Sequence, residues 1–73
     1  MQVEINKQPV ELFKILKFEG IFSSGAEAKL AIADGFVFLN GKVEIQKRKK
    51  IVSGDVIQIG DETLEIVFLE TNE

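Results

Sequence analysis

The run Lys42-Val43-Glu44-Ile45-Gln46-Lys47-Arg48-Lys49-Lys50 sets five basic side chains against one acid, a local charge of +4. Cations at this density attract phosphate oxygens or an acidic partner. Arg48, the only guanidinium in the chain, has the planar fork that grips a phosphate through two hydrogen bonds or stacks on a base. The other 64 residues carry four bases and eleven acids, net −7, so a basic patch stands on an acidic body and the whole chain has a charge of −3. A basic run of this length is often a solvated loop that keeps a chain soluble, and what surrounds it decides its meaning.

Other chemistry is poorly supplied. The 73 residues include no histidine, cysteine, tryptophan or tyrosine. That removes the usual general base, the thiol nucleophile and a serine activated by histidine. It also removes the Cys and His ligands of zinc or haem, and disulfide staples. The carboxylates Asp55, Asp61 and Glu62 fall in turns that read as solvated. The expectation is a non-catalytic chain without a cofactor. Its length and its 45% apolar fraction predict one small domain over residues 1–73. No apolar stretch approaches the ~18 residues of a membrane span. Met1-Gln2-Val3-Glu4-Ile5 lacks the basic-then-apolar order of a signal peptide, so a cytoplasmic location is expected.

The elements that would position the basic run can be read from spacing. Val3-Glu4-Ile5 alternates as a strand does, Asn6-Lys7-Gln8 reads as a turn, and Pro9 suits the first helical position. Val10, Leu12, Phe13 and Leu16 then recur at helical spacing, with Ile15 and Phe18 widening the stripe and Glu11, Lys14 and Lys17 on the other face. Gly20 fits the left-handed position past a helix end, where a Cβ would clash. Ser24-Gly25-Ala26-Glu27 has the spacing in which serine and glutamate reciprocally satisfy free amides at a helix start. It predicts a second helix, ended by Gly35, whose Ala28, Ala31 and Ile32 form a small-residue face for close packing on the first.

Asn40-Gly41 between Phe36-Val37-Phe38-Leu39 and Lys42-Val43-Glu44-Ile45 predicts a type I′ hairpin, which needs positive φ at both central residues. Val56-Ile57-Gln58-Ile59 and the stretch Thr63 to Leu69 add two strands, each after a glycine-containing turn. The fold class expected is α+β: two packed helices followed by a small, mostly antiparallel sheet with a β-hairpin, which the N-terminal strand could join. Alternation sends two side chains of Phe36 to Leu39 each way, with Phe36 and Phe38 beside Ile45 and Val43. Burial on both faces, or a bulge, is the favoured reading. The alternative is an exposed face at Phe36 and Phe38 for stacking bases or for weak self-association of a chain that is otherwise a monomer.

One order of elements ties these signals together. A helix pair with Gly20-Ile21-Phe22-Ser23-Ser24-Gly25-Ala26-Glu27-Ala28-Lys29 is followed by Ile32, Gly35, Val37, Asn40-Gly41-Lys42-Val43, a basic loop and Gly54-Asp55-Val56-Ile57. This resembles the ribosomal-protein-S-four-like RNA-binding domain, or αL motif, over residues 10–59, and in particular its small stand-alone bacterial YbcJ-type members. The resemblance implies binding of structured RNA, ribosomal or transfer RNA, by one basic surface that reads shape and phosphates more than bases. It implies the ribosome or its assembly intermediates as a setting. Carried onto this chain, the contact positions are Ser23, Ser24, Lys29, Asn40, Gly41, Lys42, Lys47, Arg48, Lys49 and Lys50, with Lys14 and Lys17 bordering them. For Ser24, helix capping is the more economical role, because Glu27 puts a carboxylate at the same helix end.

Two rivals remain. Met1-Gln2-Val3-Glu4-Ile5-Asn6 and Gly54-Asp55-Val56-Ile57-Gln58-Ile59 also resemble small β-grasp sulfur carriers, but the residues Leu69-Glu70-Thr71-Asn72-Glu73 offer no Gly-Gly tail. A β-grasp-like protein-interaction module using Phe36 and Phe38, with the basic run docking an acidic partner, is the other.

Overall fold

The apolar residues that alternate along the strands and those that recur along the helices meet in one layer of side chains. In the computed structural model, which describes residues 1–69, the elements are β1 (Gln2–Ile5), β2 (Val10–Glu11), α1 (Leu12–Phe18), α2 (Gly25–Ala33), β3 (Val37–Leu39), β4 (Lys42–Val43), β5 (Lys50–Ile51), β6 (Val56–Ile59) and β7 (Glu62–Phe68). Residues 70–73, on which the reading of the sulfur-carrier tail rests, lie outside the described residues.

Five strands form a sheet in the order β1-β7-β6-β3-β4, with β1 parallel to β7 and the other pairs antiparallel. The N-terminal strand therefore joins the sheet at one edge and the hairpin forms the other. Register sets Val3 beside Ile66, and Ile57 between Leu39 and Leu64, all on one face. Leu12, Ile15 and Leu16 of α1, Ala28 and Ile32 of α2, and Ile51 of β5 complete this core and are at most 2% exposed. Truncating any of the large ones to alanine costs about 2–5 kcal/mol.

The first helix starts later than its apolar spacing suggests. Pro9 and Val10 precede it, because Val10 and Glu11 pair antiparallel with Ile51 and Lys50. A two-residue ladder half-buries Val10 against the core as well as a helical turn would, and periodicity cannot tell the two apart. Phe18 does not widen the stripe but is 67% exposed. Two residues beyond Leu16, it projects from nearly the opposite side of a helix that turns every 3.6 residues.

At the start of α2, Ser24 accepts the Glu27 amide at 3.2 Å, the expected cap. The reciprocal half is absent: the Glu27 carboxylate instead accepts the Ser23 hydroxyl. Asn40 (φ +53°) and Gly41 (φ +87°) form the predicted turn. Val37 and Leu39 are buried, while Phe36 and Phe38 are 63% and 39% exposed, together with Val43 and Ile45. Burial on both faces is thus overturned, and β3 pairs with β6 in unbroken register without a bulge. The helices cover one side of the sheet, and the other carries exposed residues such as Gln58, Thr63 and Glu65. The second hairpin strand stops at Val43, although the Glu44 amide still reaches the Val37 carbonyl at 2.9 Å.

Candidate nucleic-acid interface

Every helix start leaves backbone amides without partners. Glu11, the cap residue of α1, makes no side-chain cap. The amides go instead to carbonyls of the basic loop: Leu12 N–H to Lys49 O at 2.9 Å and Phe13 N–H to Lys47 O at 3.2 Å. The adjacent β2–β5 ladder fixes Lys50 beside Glu11. The backbone of the basic run is thereby fastened to the start of the first helix, and Lys47 and Arg48 remain exposed.

From that anchorage Arg48 reaches back over α1. Its Nη1 lies 3.4 Å from Glu11 Oε2, and its guanidinium carbon is 5.5 Å from the centre of the Phe13 ring. Lys29 approaches the same ring from α2, with Nζ at 4.5 Å. Both are cation–π contacts of about 0.5–1 kcal/mol where exposed. Lys14 takes the other oxygen of Glu11, Nζ to Oε1 at 3.3 Å. The start of α2 rests on Phe13 as well: a Cβ on Gly25 would stand 3.5 Å from two ring carbons and 3.8 Å from Lys17 Cδ. Partial desolvation raises the pKa of the Glu11 carboxyl, but the hydrogen bond and charge of Lys14, with Arg48, outweigh it and hold the group below its ordinary value.

Three of the expected contact residues, Lys14, Lys29 and Arg48, thus gather around Phe13 and Glu11, while the Lys17 ammonium lies 5.5 Å from the centre of the exposed Phe18 ring. A second group, Lys42, Lys49 and Lys50, borders a shallow depression with Asn40, Glu44 and Asp55. The polar candidates are engaged in holding the scaffold. Asn40 donates to Asp55 Oδ1 at 3.0 Å and accepts the Val56 amide at 2.8 Å, so its side chain clasps the hairpin to the next turn. Asp55 also accepts the Val52 amide at 3.0 Å, which makes it a turn-forming residue and not a free carboxylate. Ser23 and Ser24 are bound to Glu27, and Gly41 supplies turn geometry.

Sequence reasoning assigned Phe13 to the core stripe and Glu11 to the solvated face, and missed both as organisers of the cations. The Glu11–Lys14 spacing of three residues signals a helical ion pair. Nothing local signals that Arg48 joins them.

Comparison with known proteins bears on the family and the fold. A family model described as the S4 domain matches residues 3–67. The chain belongs to the S4 domain family. Among S4 domain relatives, the YbcJ proteins of Escherichia coli (strain K12) and Shigella flexneri are each 45% identical over 64 residues, covering 86% of this chain and 91% of theirs. The solution structure of E. coli YbcJ, described as revealing an αL motif involved in RNA-binding, is similar with a TM-score of 0.70 and 43% identity, over 90% of this chain and 85% of that one. The α+β architecture read from the sequence is therefore that of an S4 domain.

Proposed function

We propose that this chain binds structured RNA, ribosomal or transfer RNA, without catalysis, through a basic face made by α2, the Asn40-Gly41 hairpin and the loop at residues 47–50. The observation that carries the reading is the gathering of Lys14, Lys29 and Arg48 around Phe13 and Glu11 in a chain whose net charge is −3. Cations from two helices and a loop, fixed on one surface, suit a lattice of phosphates. A-form RNA hides its base edges in a deep, narrow groove, so such a surface reads shape. Membership of the S4 family supports the reading, as does the RNA-binding motif described for YbcJ. The ribosome or its assembly intermediates in the cytoplasm are the setting this implies.

A backbone-amide NMR titration with a structured bacterial RNA at two salt concentrations tests it. Shifts confined to Lys14, Lys29, Lys42 and Lys47 to Lys50, fading as salt rises through counterion release, are expected. Absence of any shift at low salt with several RNAs overturns it. The exposed Phe36, Phe38, Val43 and Ile45 favour a second reading, a protein-docking module. In that case structured RNA fails to compete with the protein partner.

A further inference from the structure

An acid stands between two cations of the basic face. The two carboxylate oxygens of Glu11 are divided between two cations, Oε1 toward Lys14 Nζ at 3.3 Å and Oε2 toward Arg48 Nη1 at 3.4 Å. The backbone holds Glu11 there, since it pairs with Lys50 and immediately precedes the helix whose first amides bind the loop. Its carboxylate takes no part in capping that helix. A phosphodiester likewise presents two anionic oxygens from one centre, so Glu11 occupies Lys14 and Arg48 in the manner of a phosphate. Both separations exceed the ~2.7–2.9 Å of tight charge-assisted contacts. The Lys14 and Arg48 side chains are 48% and 64% exposed, and pairs of this kind hold weakly in water.

We infer that Glu11 is an internal counter-anion of the RNA-binding face: it occupies Lys14 and Arg48 in the free protein and is displaced from them by an RNA phosphate. The inference rests on the RNA-binding reading above. In the free protein the carboxylate keeps Arg48 folded over Phe13, where Lys29 already sits on the same ring. In the complex the phosphate takes over both cations and Glu11 turns to solvent. An anion that cannot engage both cations gains less from the exchange, so the device favours a polyanion with fixed, closely spaced phosphates over free ions.

The test is fluorescence anisotropy of a fluorescein-labelled RNA stem-loop at salt concentrations between about 50 and 200 mM. The proteins are the wild type, Glu11→Gln, Arg48→Ala, the Glu11→Gln/Arg48→Ala double variant, and Glu19→Gln. Glu19 lies at the other end of α1 and pairs with no cation among the described residues. Glu11→Gln is expected to bind about three- to tenfold more tightly at the lower salt, with a salt dependence steeper by about one phosphate contact. The gain shrinks when Arg48 is absent, and Glu19→Gln gives a smaller one. Glu11→Ala repeats the test with a second side chain, and thermal melting verifies that each variant is folded.

The inference is overturned if Glu11→Gln binds no tighter, if Glu19→Gln gains as much, or if the gain is undiminished without Arg48. Failure of the underlying reading has a different signature: wild type shows no salt-dependent binding, and Arg48→Ala changes nothing.

Discussion

Phe13 and the pair Phe36 and Phe38 are the same side chain in opposite surroundings. Phe13 is buried beneath Lys29 and Arg48 and beside the start of α2. Phe36 and Phe38 lie in the open, as do Val43 and Ile45, and Phe38 pairs with Val43 across the hairpin. One aromatic fills the core and seats cations. The other two add apolar surface on a face where Gln58, Thr63 and Glu65 supply no positive charge. The proposed phosphate-binding surface is thus marked by the cations that converge on one buried ring and not by the exposed rings.

The sharpest way to break this contrast is to remove the rings. Phe13→Ala is expected to lose about 3–5 kcal/mol of stability, through the cavity it leaves. Phe36→Ala should stay within about 0.5 kcal/mol, as surface substitutions do. Chemical unfolding measures both, and equal losses would erase the distinction. Next in size, Arg48→Ala combined with Lys49→Ala should weaken RNA binding about tenfold and make its salt dependence shallower by about two contacts. The unfolding midpoint should fall only slightly, because exposed charge contacts such as those of Arg48 with Glu11 and Phe13 contribute little to stability. Phe36→Ala with Phe38→Ala should leave RNA affinity where it was.

Smaller again, Ser24→Ala removes the cap of α2 and should cost about 1 kcal/mol in thermal unfolding. Its effect on RNA binding should be slight, which separates holding the basic face from touching the ligand. The smallest effect concerns Glu11. Its carboxyl titrates below the ordinary value in the folded chain, with Lys14 and Arg48 overcoming the upward push of desolvation. Its ion pairs therefore add stability above the unfolded carboxylate pKa, and that contribution fades as pH falls through the lowered folded value. Melting curves of wild type and Glu11→Gln should differ slightly at neutral pH and converge in acid.

Much of this was legible in the chain. The left-handed glycines, the Ser24 cap and the Asn40-Gly41 turn were readable because each is a local rule about φ or free amides. The α+β order followed from the change of apolar period between residues 10 and 36. Illegible were features set by partners distant in sequence. The β2–β5 ladder is two residues long, below what alternation can signal, and it claimed Val10 from the predicted helix. One local feature was missed as well: the second half of the capping box gave way to a competing hydroxyl one residue earlier, at Ser23. At the candidate interface the cations could be named from their types, but the Phe13 ring and Glu11 carboxylate that gather them depend on the loop carbonyls at Lys47 and Lys49 docking on α1.

The position of β7 between β1 and β6 has a bearing on how the chain is made on the ribosome. Gln2 through Ile5 find their partners only at Glu65 through Phe68, so the sheet's order is not the order of synthesis. The helix pair and the hairpin join residues close in sequence and can form as they emerge, whereas long-range pairing comes late and slowly. Until β7 arrives, Val3 and Ile5 have no strand to pair with, and the β6 edge stays open to foreign strands. A nascent chain stopped short of residue 62 would carry the basic run but not the closed sheet, and aggregation of such fragments is the expected penalty.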